Sequence, residues 1–421
     1  MHNGKPRSLK VNNRQRVLAL LRQQSLLTAA AAAENAGLSK TTAMKILDHF
    51  VAEGLVLDAG KGDSTAEGGK PPALFKLNDH YACAIGIHLF PEKIAAIAVD
   101  LQETILDAVA IPIQENASLA VVVAGMAEVV SQLLQKTNFL QQQVAGIGIA
   151  LPGVIDPQTG LCRFSPRFSS WGTDADVIEP LRQKLGRDIP IFIDNESRLM
   201  AFAEKKQGAA RDKRNIVTVS AGRGLAAGII VNDALKHGTH NLAGEIGHMV
   251  INPYSRETCV CGGQGCFEVM VSTRRLLRKA AQGRKAHPGS LIFSPFPETK
   301  ITPEMIFQAA GHGDLFAREL LDDMAFWMSV GFSNLIMMHD PEVIVIQGIY
   351  TQSGDTFLHT LKQKTNRLVL KKIDKHVEIR FSAFDTEAGN IGAAAYVMDQ
   401  YFNNYCYLQT DCKPMALSGQ A

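Results

Sequence analysis

The chain has 421 residues, 46% of them hydrophobic and 20% charged, with a formal net charge of +2. That length accommodates two or three domains with separate cores, and the ordinary apolar fraction excludes a chain too polar to fold. The small net charge excludes a uniformly basic or acidic surface, but its distribution is uneven: Lys5, Arg7, Lys10, Arg14, Arg16 and Arg22 all precede the first acid, Glu34. Such an arm suits a polyanion, or else is a solvated, disordered leader. The start, MHNGKPRSLK, lacks the apolar core of a signal peptide, and no run of 18 apolar residues follows. A cytoplasmic location without membrane insertion is therefore expected.

In chain order, "NRQRVLALLRQQ" predicts a helix with Val17, Leu18, Leu20 and Leu21 on one stripe. "LTAAAAAENAGLSKTTAMKILDHFVAEGLV" predicts two more, the first capped by Thr28, with Gly37 at a turn needing positive φ. Ser39 can cap the second, whose apolar face is Ala43, Ile46, Leu47 and Phe50. Lys40, Thr41, Thr42 and Lys45 are left near its outward N-terminal side, the helix–turn–helix arrangement. Strands Leu55–Asp58 and Ala73–Leu77 flank "DAGKGDSTAEGGKPP", a hairpin tip or linker, and add a wing carrying Lys61 and Lys70. DNA is the expected partner, with Ser39, Lys40, Thr41, Thr42 and Lys45 as candidate base readers and Arg14, Lys61 and Lys70 as candidate phosphate contacts. A small helical protein-interaction module is the alternative.

From about Tyr81, strands alternate with helices: "CAIGIHLF", "KIAAIAVDL", a helix near 117–137, "VAGIGIALPG", a helix near 174–186, "IPIFIDN" and a helix over 196–207. This pattern predicts an α/β domain. "CAIGIHLFPEKIAAIAVDLQETIL" and "NIVTVSAGRGLAAGIIVNDALK" share one order of strand, Gly-containing turn and strand, which suggests two related lobes with a cleft.

Three of the seven cysteines fall within eight residues of "HMVINPYSRETCVCGGQGCFE". His248, Cys259, Cys261 and Cys266 make a complete tetrahedral donor set for one structural Zn²⁺ per chain, with no open position for water. Soft thiolates disfavour Mg²⁺ or Ca²⁺, and Gly262, Gly263 and Gly265 let the backbone wrap closely. Cys83, Cys162, Cys406 and Cys412 are scattered, so they read as incidental. Glu245 and Glu268 are tethered to the cysteine loop, where fixed carboxylates would accept sugar hydroxyls; His248 can bind metal through one ring nitrogen and offer the other to a ligand.

"GEIGHM…CVCGGQGCFE" resembles the signature of the ROK family of repressors, open reading frames and sugar kinases, and the similarity runs over roughly residues 81–400. "GGKPPALFKLN" resembles the N-terminal module of its repressor branch. The resemblance implies a winged helix–turn–helix followed by a two-lobed α/β actin-like domain (ribonuclease H-like, sugar kinase-type). It also implies structural zinc, a sugar site between the lobes, and homodimers or homotetramers on operator DNA. The expected domains are 1–80 for DNA binding, 81–195 for a first lobe completed by a helix at about 386–402, 196–385 for a second lobe with zinc, and a tail at 403–421.

A sugar kinase needs phosphate-cradling glycines and a base. Against the family's first phosphate loop, "GIHLFPEK" puts His88 at the acid and Leu89, Phe90 and Pro91 at the glycines. In the second, "SAGRGLAAGI" keeps Gly222, Gly224 and Gly228 but has Arg223, Ala226 and Ala227. Arg223 could bind a phosphate already on the ligand, or pair with a neighbouring carboxylate, which is the expectation. "NESR" puts Glu196 at the base, and its extra methylene displaces the carboxylate, so no catalytic residue is assigned. Asn195, Glu196, Glu245, His248 and Glu268 fall on sugar-contact positions, with Arg167 in place of an asparagine. Arg167 favours an acidic or phosphorylated effector, or else simply salt-bridges Glu196 or Glu268. The expected function is a DNA-binding repressor of carbohydrate genes with a sugar-like effector. The alternatives are an ATP-dependent sugar kinase, or a zinc-stapled scaffold controlled by a protein such as a sugar-transport component.

Overall fold

The structure, a computed structural model, describes residues 6–62, 71–137, 139, 143–186, 188–293, 300–370, 377–384 and 387–408. The chain divides into two compact units. One comprises Met1–Ile149, Asp176–Ile193 and Ala393–Ala421; the other comprises Ala150–Ala175 and Asp194–Gly392.

The first unit begins with α1 (Pro6–Gln23), β1 (Leu27–Thr28), α2 (Ala29–Ala36), α3 (Lys40–Ala52), β2 (Val56–Lys61) and β3 (Ala73–Leu77). The Thr28 hydroxyl accepts the Ala31 amide at 3.1 Å, and Gly37, at φ +63°, ends α2 in the left-handed region. The Ser39 hydroxyl accepts the Thr42 amide at 3.2 Å, and α3 buries Ala43, Ile46, Leu47 and Phe50 as its spacing requires. A three-stranded sheet runs β1-β3-β2, and its two-residue strand β1 is too short to leave a period-two pattern. Lys5, Lys70 and Cys412 lie outside the described residues.

From Pro6 onward the basic arm is ordered as a helix, and two of its cations serve the fold. Arg16 donates to the Ala36 carbonyl at 2.9 Å. Arg22 pairs with Glu103 at 2.6 Å and Asp399 at 3.1 Å and lies over the Phe402 ring.

Then follow, in chain order, β4 (Cys83–Leu89), β5 (Lys93–Val99), β6 (Ile105–Pro112), α4 (Leu119–Thr137), β7 (Val144–Leu151), then β8 (Val154–Asp156) and β9 (Leu161–Phe164), both of which lie in the second unit, and β10 (Ala175–Asp176), α5 (Ile178–Leu185) and β11 (Ile191–Asn195). They make a five-stranded sheet of order β11-β7-β4-β5-β6 and a small sheet β10-β9-β8. By length and composition α4 is apolar enough to cross a membrane, yet it packs on β5 and β6 and buries Val122, Met126, Val129 and Leu133, as a core helix does.

The second unit contains α6 (Glu196–Lys206), β12 (Ile216–Ala221), β13 (Leu225–Val231), β14 (Ala234–Leu235), α7 (Phe267–Val271), α8 (Thr273–Gly283), α9 (Pro303–Gly311), α10 (Leu315–His339), β15 (Val343–Gln347), α11 (Gly354–Leu368) and β16 (Glu378–Phe381). Its sheet order is β14-β13-β12-β15-β16. Numbered within each sheet, both read 5-4-1-2-3, which gives the repeated hairpin pattern of the sequence a topological basis. Asn232 and Asp233 supply the two positive-φ positions of the turn between β13 and β14. The core gathers Phe267, Met324, Met328 and Phe332 against the sheet residues Val217, Val219 and Ile346.

The last helix, α12 (Ala388–Leu408), begins in the second unit, where Gly392 lies so close to the Leu199 carbonyl that a Cβ would collide with it. Its later part belongs to the first unit, where Asp399 and Phe402 hold Arg22, and Tyr405 meets Tyr81 at 3.0 Å. Residues 150–175, counted with the first lobe in the sequence, belong instead to the second unit. Hydrogen bonding explains this: Asn195 donates to the Gly153 carbonyl at 2.7 Å and Arg198 to the Ile155 carbonyl at 3.0 Å.

Candidate metal centre and adjoining pocket

His248 ends a single 3-10 turn, Ile246–His248, that lies against β13. The approach depends on glycine: a Cβ on Gly244 (φ +99°) would strike the Ala227 carbonyl, and one on Gly247 the Leu225 carbonyl. The cysteine loop folds back through bridges Val250–Cys266 and Thr258–Gln264, and Gly265 (φ +70°) sits where a Cβ would strike the Asn252 carbonyl.

The ligand atoms of His248, Cys259, Cys261 and Cys266 all lie within 4.8 Å of one another. Cys259 Sγ is 3.6 Å from His248 Nδ1, and Cys261 Sγ is 3.7 Å from Cys266 Sγ. A tetrahedron with Zn–S near ~2.3 Å and Zn–N near ~2.0–2.1 Å has S···N and S···S edges of about 3.6 and 3.8 Å. The residues fit zinc. Burial, followed by hydrogen bonds and charge from the neighbouring thiols, pushes the Cys266 thiol up to about 12, so ionising all three without a cation is unfavourable.

Arg167, Asn195, Glu196, Glu245, His248 and Glu268 all line one cavity of about 520 Å³ within the second unit. Asn195 is the N-cap of α6: its Oδ1 accepts from Ser197 at 2.8 Å, and its Nδ2 is engaged by Gly153. Glu196, the first residue of α6, meets Arg167 at 3.5 Å. Arg167 is therefore held by a carboxylate, the simpler of its two expected roles. Glu268 Oε2 accepts the Leu225 amide at 3.1 Å. Burial raises the Glu245 carboxyl, partly offset by the nearby His248 and Arg198. Because Nδ1 of His248 faces Cys259, its Nε2 is the nitrogen available to the cavity.

Sequence reasoning missed the buried network beneath this corner. Arg198 binds Asp194 at 2.7 Å, and Asp194 also meets His237 Nε2 at 2.8 Å. Arg198 is 2% exposed, and a fully buried arginine requires such partners. The four-residue spacing of Asp194 and Arg198 was a usable signal.

The two hairpin turns are built differently. Between β4 and β5, the His88 and Phe90 rings lie 4.0 Å apart and Lys93 Nζ sits 4.8 Å from the Phe90 centroid, so side chains occupy the turn. Between β12 and β13, Gly222–Gly224 is closed by Gly222 donating to the Gly224 carbonyl at 3.0 Å. Gly228 is required for packing, since a Cβ there would strike Ala201 and the Ser197 carbonyl. Arg223 is exposed and has no carboxylate partner among the described residues, contrary to the pairing expected of it.

On the head, Lys40, Thr41, Lys45 and Lys61 are exposed, Thr42 and Arg14 half-buried. Ser39 is occupied as a cap, within 2.9 Å of the Thr41 hydroxyl and 2.8 Å of the Thr42 hydroxyl. Met44 is also exposed on this face and was not singled out; an apolar residue on a polar face gave no periodic signal.

The family model of the ROK family matches residues 84–400. The xylose repressor of Bacillus subtilis is 26% identical over 395 residues, 94% of this chain and 97% of that protein. The DNA-binding transcriptional dual regulator NagC of Escherichia coli is 25% identical, covering 94% of each chain. The glucokinase of Halalkalibacterium halodurans is 29% identical over 299 residues, 70% of this chain and 89% of that protein. Among solved structures, a ROK family transcriptional regulator homologous to the E. coli MLC protein aligns with a TM-score of 0.80 at 22% identity, covering 95% and 98% of the two chains. A ROK family glucokinase from Streptomyces griseus, in complex with glucose and AMPPNP, aligns at 0.65 and 25% identity, covering 75% of this chain and 99% of that one.

Proposed function

Because the chain belongs to the ROK family, we propose that it is a sugar-responsive transcriptional repressor, cytoplasmic and oligomeric, whose head grips operator DNA. The observation that carries this reading is the extent of the likeness: it covers 94% of the chain in relatives named as a xylose repressor and a DNA-binding transcriptional dual regulator, while the glucokinase relative covers 70%. The exposed N-terminal face of α3, with Lys40, Thr41 and Lys45, supports major-groove reading, and Lys61 supports phosphate contact from the wing.

The effector is a carbohydrate held in the cavity by Glu245, Glu268 and His248 Nε2, whose oxygens and nitrogen suit sugar hydroxyls. Glu196 and Asn195 shape the wall more than they bind, since Arg167 and the α6 cap engage them. Bound through His248, Cys259, Cys261 and Cys266, zinc would fix the loop that joins Glu245 to Glu268, and its filled coordination leaves no position for a reacting water. The sugar shifts operator affinity to the extent that it favours one arrangement of the chain.

Phosphoryl transfer is disfavoured by the filled β4–β5 turn and by the Arg167–Glu196 pair, which occupies the expected base. Fluorescence anisotropy with the protein's own upstream DNA tests the reading. Binding should weaken steeply with salt and be relieved by a carbohydrate. Brisk ATP consumption with a hexose, and indifference to operator fragments, would overturn it; release only by a sugar-transport protein would favour the scaffold reading.

A further inference from the structure

A second cavity of about 510 Å³ shares Gly222, Arg223 and Ile349 with the first. Its charged lining is entirely cationic: Arg223, Arg274 and Lys300. Among the described residues none of these three has an ion-pair or hydrogen-bond partner for its side chain, and all are exposed. Their neighbours on α8 behave otherwise. Arg275 and Lys279 both pair with Asp323, and Arg278 pairs with Glu257. The 11-residue α8 also starts at this cavity, with Thr273 in its wall, so the positive end of the helix adds to the same field. Three uncompensated cations around one hollow repel one another, and an anion relieves that repulsion.

In the first cavity Arg167 is paired with Glu196, which leaves Glu245 and Glu268, carboxylates that accept hydroxyls but repel an anion. We infer that Arg223, Arg274 and Lys300 take the phosphoryl group of a phosphorylated carbohydrate whose sugar ring occupies the Glu245–Glu268 cavity. This rests on the carbohydrate reading of that cavity. Arg223, on the wall common to both, meets the ester first, and the ligand must be hydroxyl-rich at one end and dianionic at the other.

Calorimetry on the full-length, zinc-loaded protein tests it, using glucose, N-acetylglucosamine and xylose, their phosphate esters, inorganic phosphate and ADP. At least one ester should bind ~10-fold or more tighter than its parent sugar, and each of Arg223→Ala, Arg274→Ala and Lys300→Ala should lose about tenfold for the ester but not for the sugar. Arg223→Lys should recover part of the loss. Equal affinity for a sugar and its ester overturns the inference and leaves the carbohydrate reading intact. Tighter binding of ADP or free phosphate, lost in the same variants, also overturns it and makes the cavity a nucleotide or simple anion site. Absence of binding by every sugar and ester sinks both.

Discussion

Two hairpins hold the same place in two sheets of identical order and end in turns of opposite character. The β4–β5 turn is packed with His88, Phe90 and Lys93. The β12–β13 turn is a short glycine loop that leaves Arg223 beside two open cavities. Topology alone therefore does not confer phosphate handling. The same backbone arrangement becomes a closed, self-satisfied corner or an open cationic one according to three or four side chains.

The largest effect should come from removing what braces the open corner. Cys261→Ser should release about one zinc per chain and destabilise the protein by several kcal/mol, read by metal analysis and urea unfolding. Unchanged metal content would refute the four-residue site. Next, Gly244→Ala forces a Cβ into the Ala227 carbonyl from a left-handed backbone and should cost about 3 kcal/mol. Gly222→Ala, in the open turn with nothing within 4 Å, should stay within about 0.5 kcal/mol. Equal costs would mean that the glycines of the second hairpin serve the turn itself and not the packing behind it.

Phe90→Ala probes the closed corner. Losing the contacts with His88 and Lys93 should cost about 1–2 kcal/mol in urea unfolding without creating ATP binding. The smallest effect concerns the helix carrying Arg274. Burial pushes the Asp323 carboxyl up, but its hydrogen bonds from Arg275 and Lys279 outweigh that and hold it below the usual value. With a folded pKa below the unfolded one, its contribution is present above about pH 4 and is lost as pH falls through the folded value. Asp323→Asn should flatten the stability profile in that acidic window, measured by urea unfolding at pH 7, 4 and 3.

Much of the architecture was legible because local rules governed it. Thr28, Gly37 and Ser39 mark the ends of α2 and α3 through their own hydrogen bonds and φ, and the buried face of α3 follows from helical spacing. The cluster that could hold a metal ion was legible for a similar reason: three of its four residues lie within one short loop. Legibility failed where a residue's role depends on distant partners. Arg22 read as part of a DNA-binding arm until Glu103 and Asp399 accounted for it. Arg167 and Arg223 were ambiguous on the same grounds: Arg167 meets Glu196, whereas Arg223 has no carboxylate partner among the described residues.

By itself, then, the order of amino acids determined the caps, the strand–helix alternation, the clustering of three thiols with an imidazole and the bulky side chains of the β4–β5 turn. Each is decided within a few residues by sterics, hydrogen bonding or spacing. Only the tertiary structure decided that residues 150–175 join the second unit, that Arg198 and His237 meet on Asp194, and which cations are neutralised. Coulombic pairing and burial act through space, and separation along the chain carries almost no information about them.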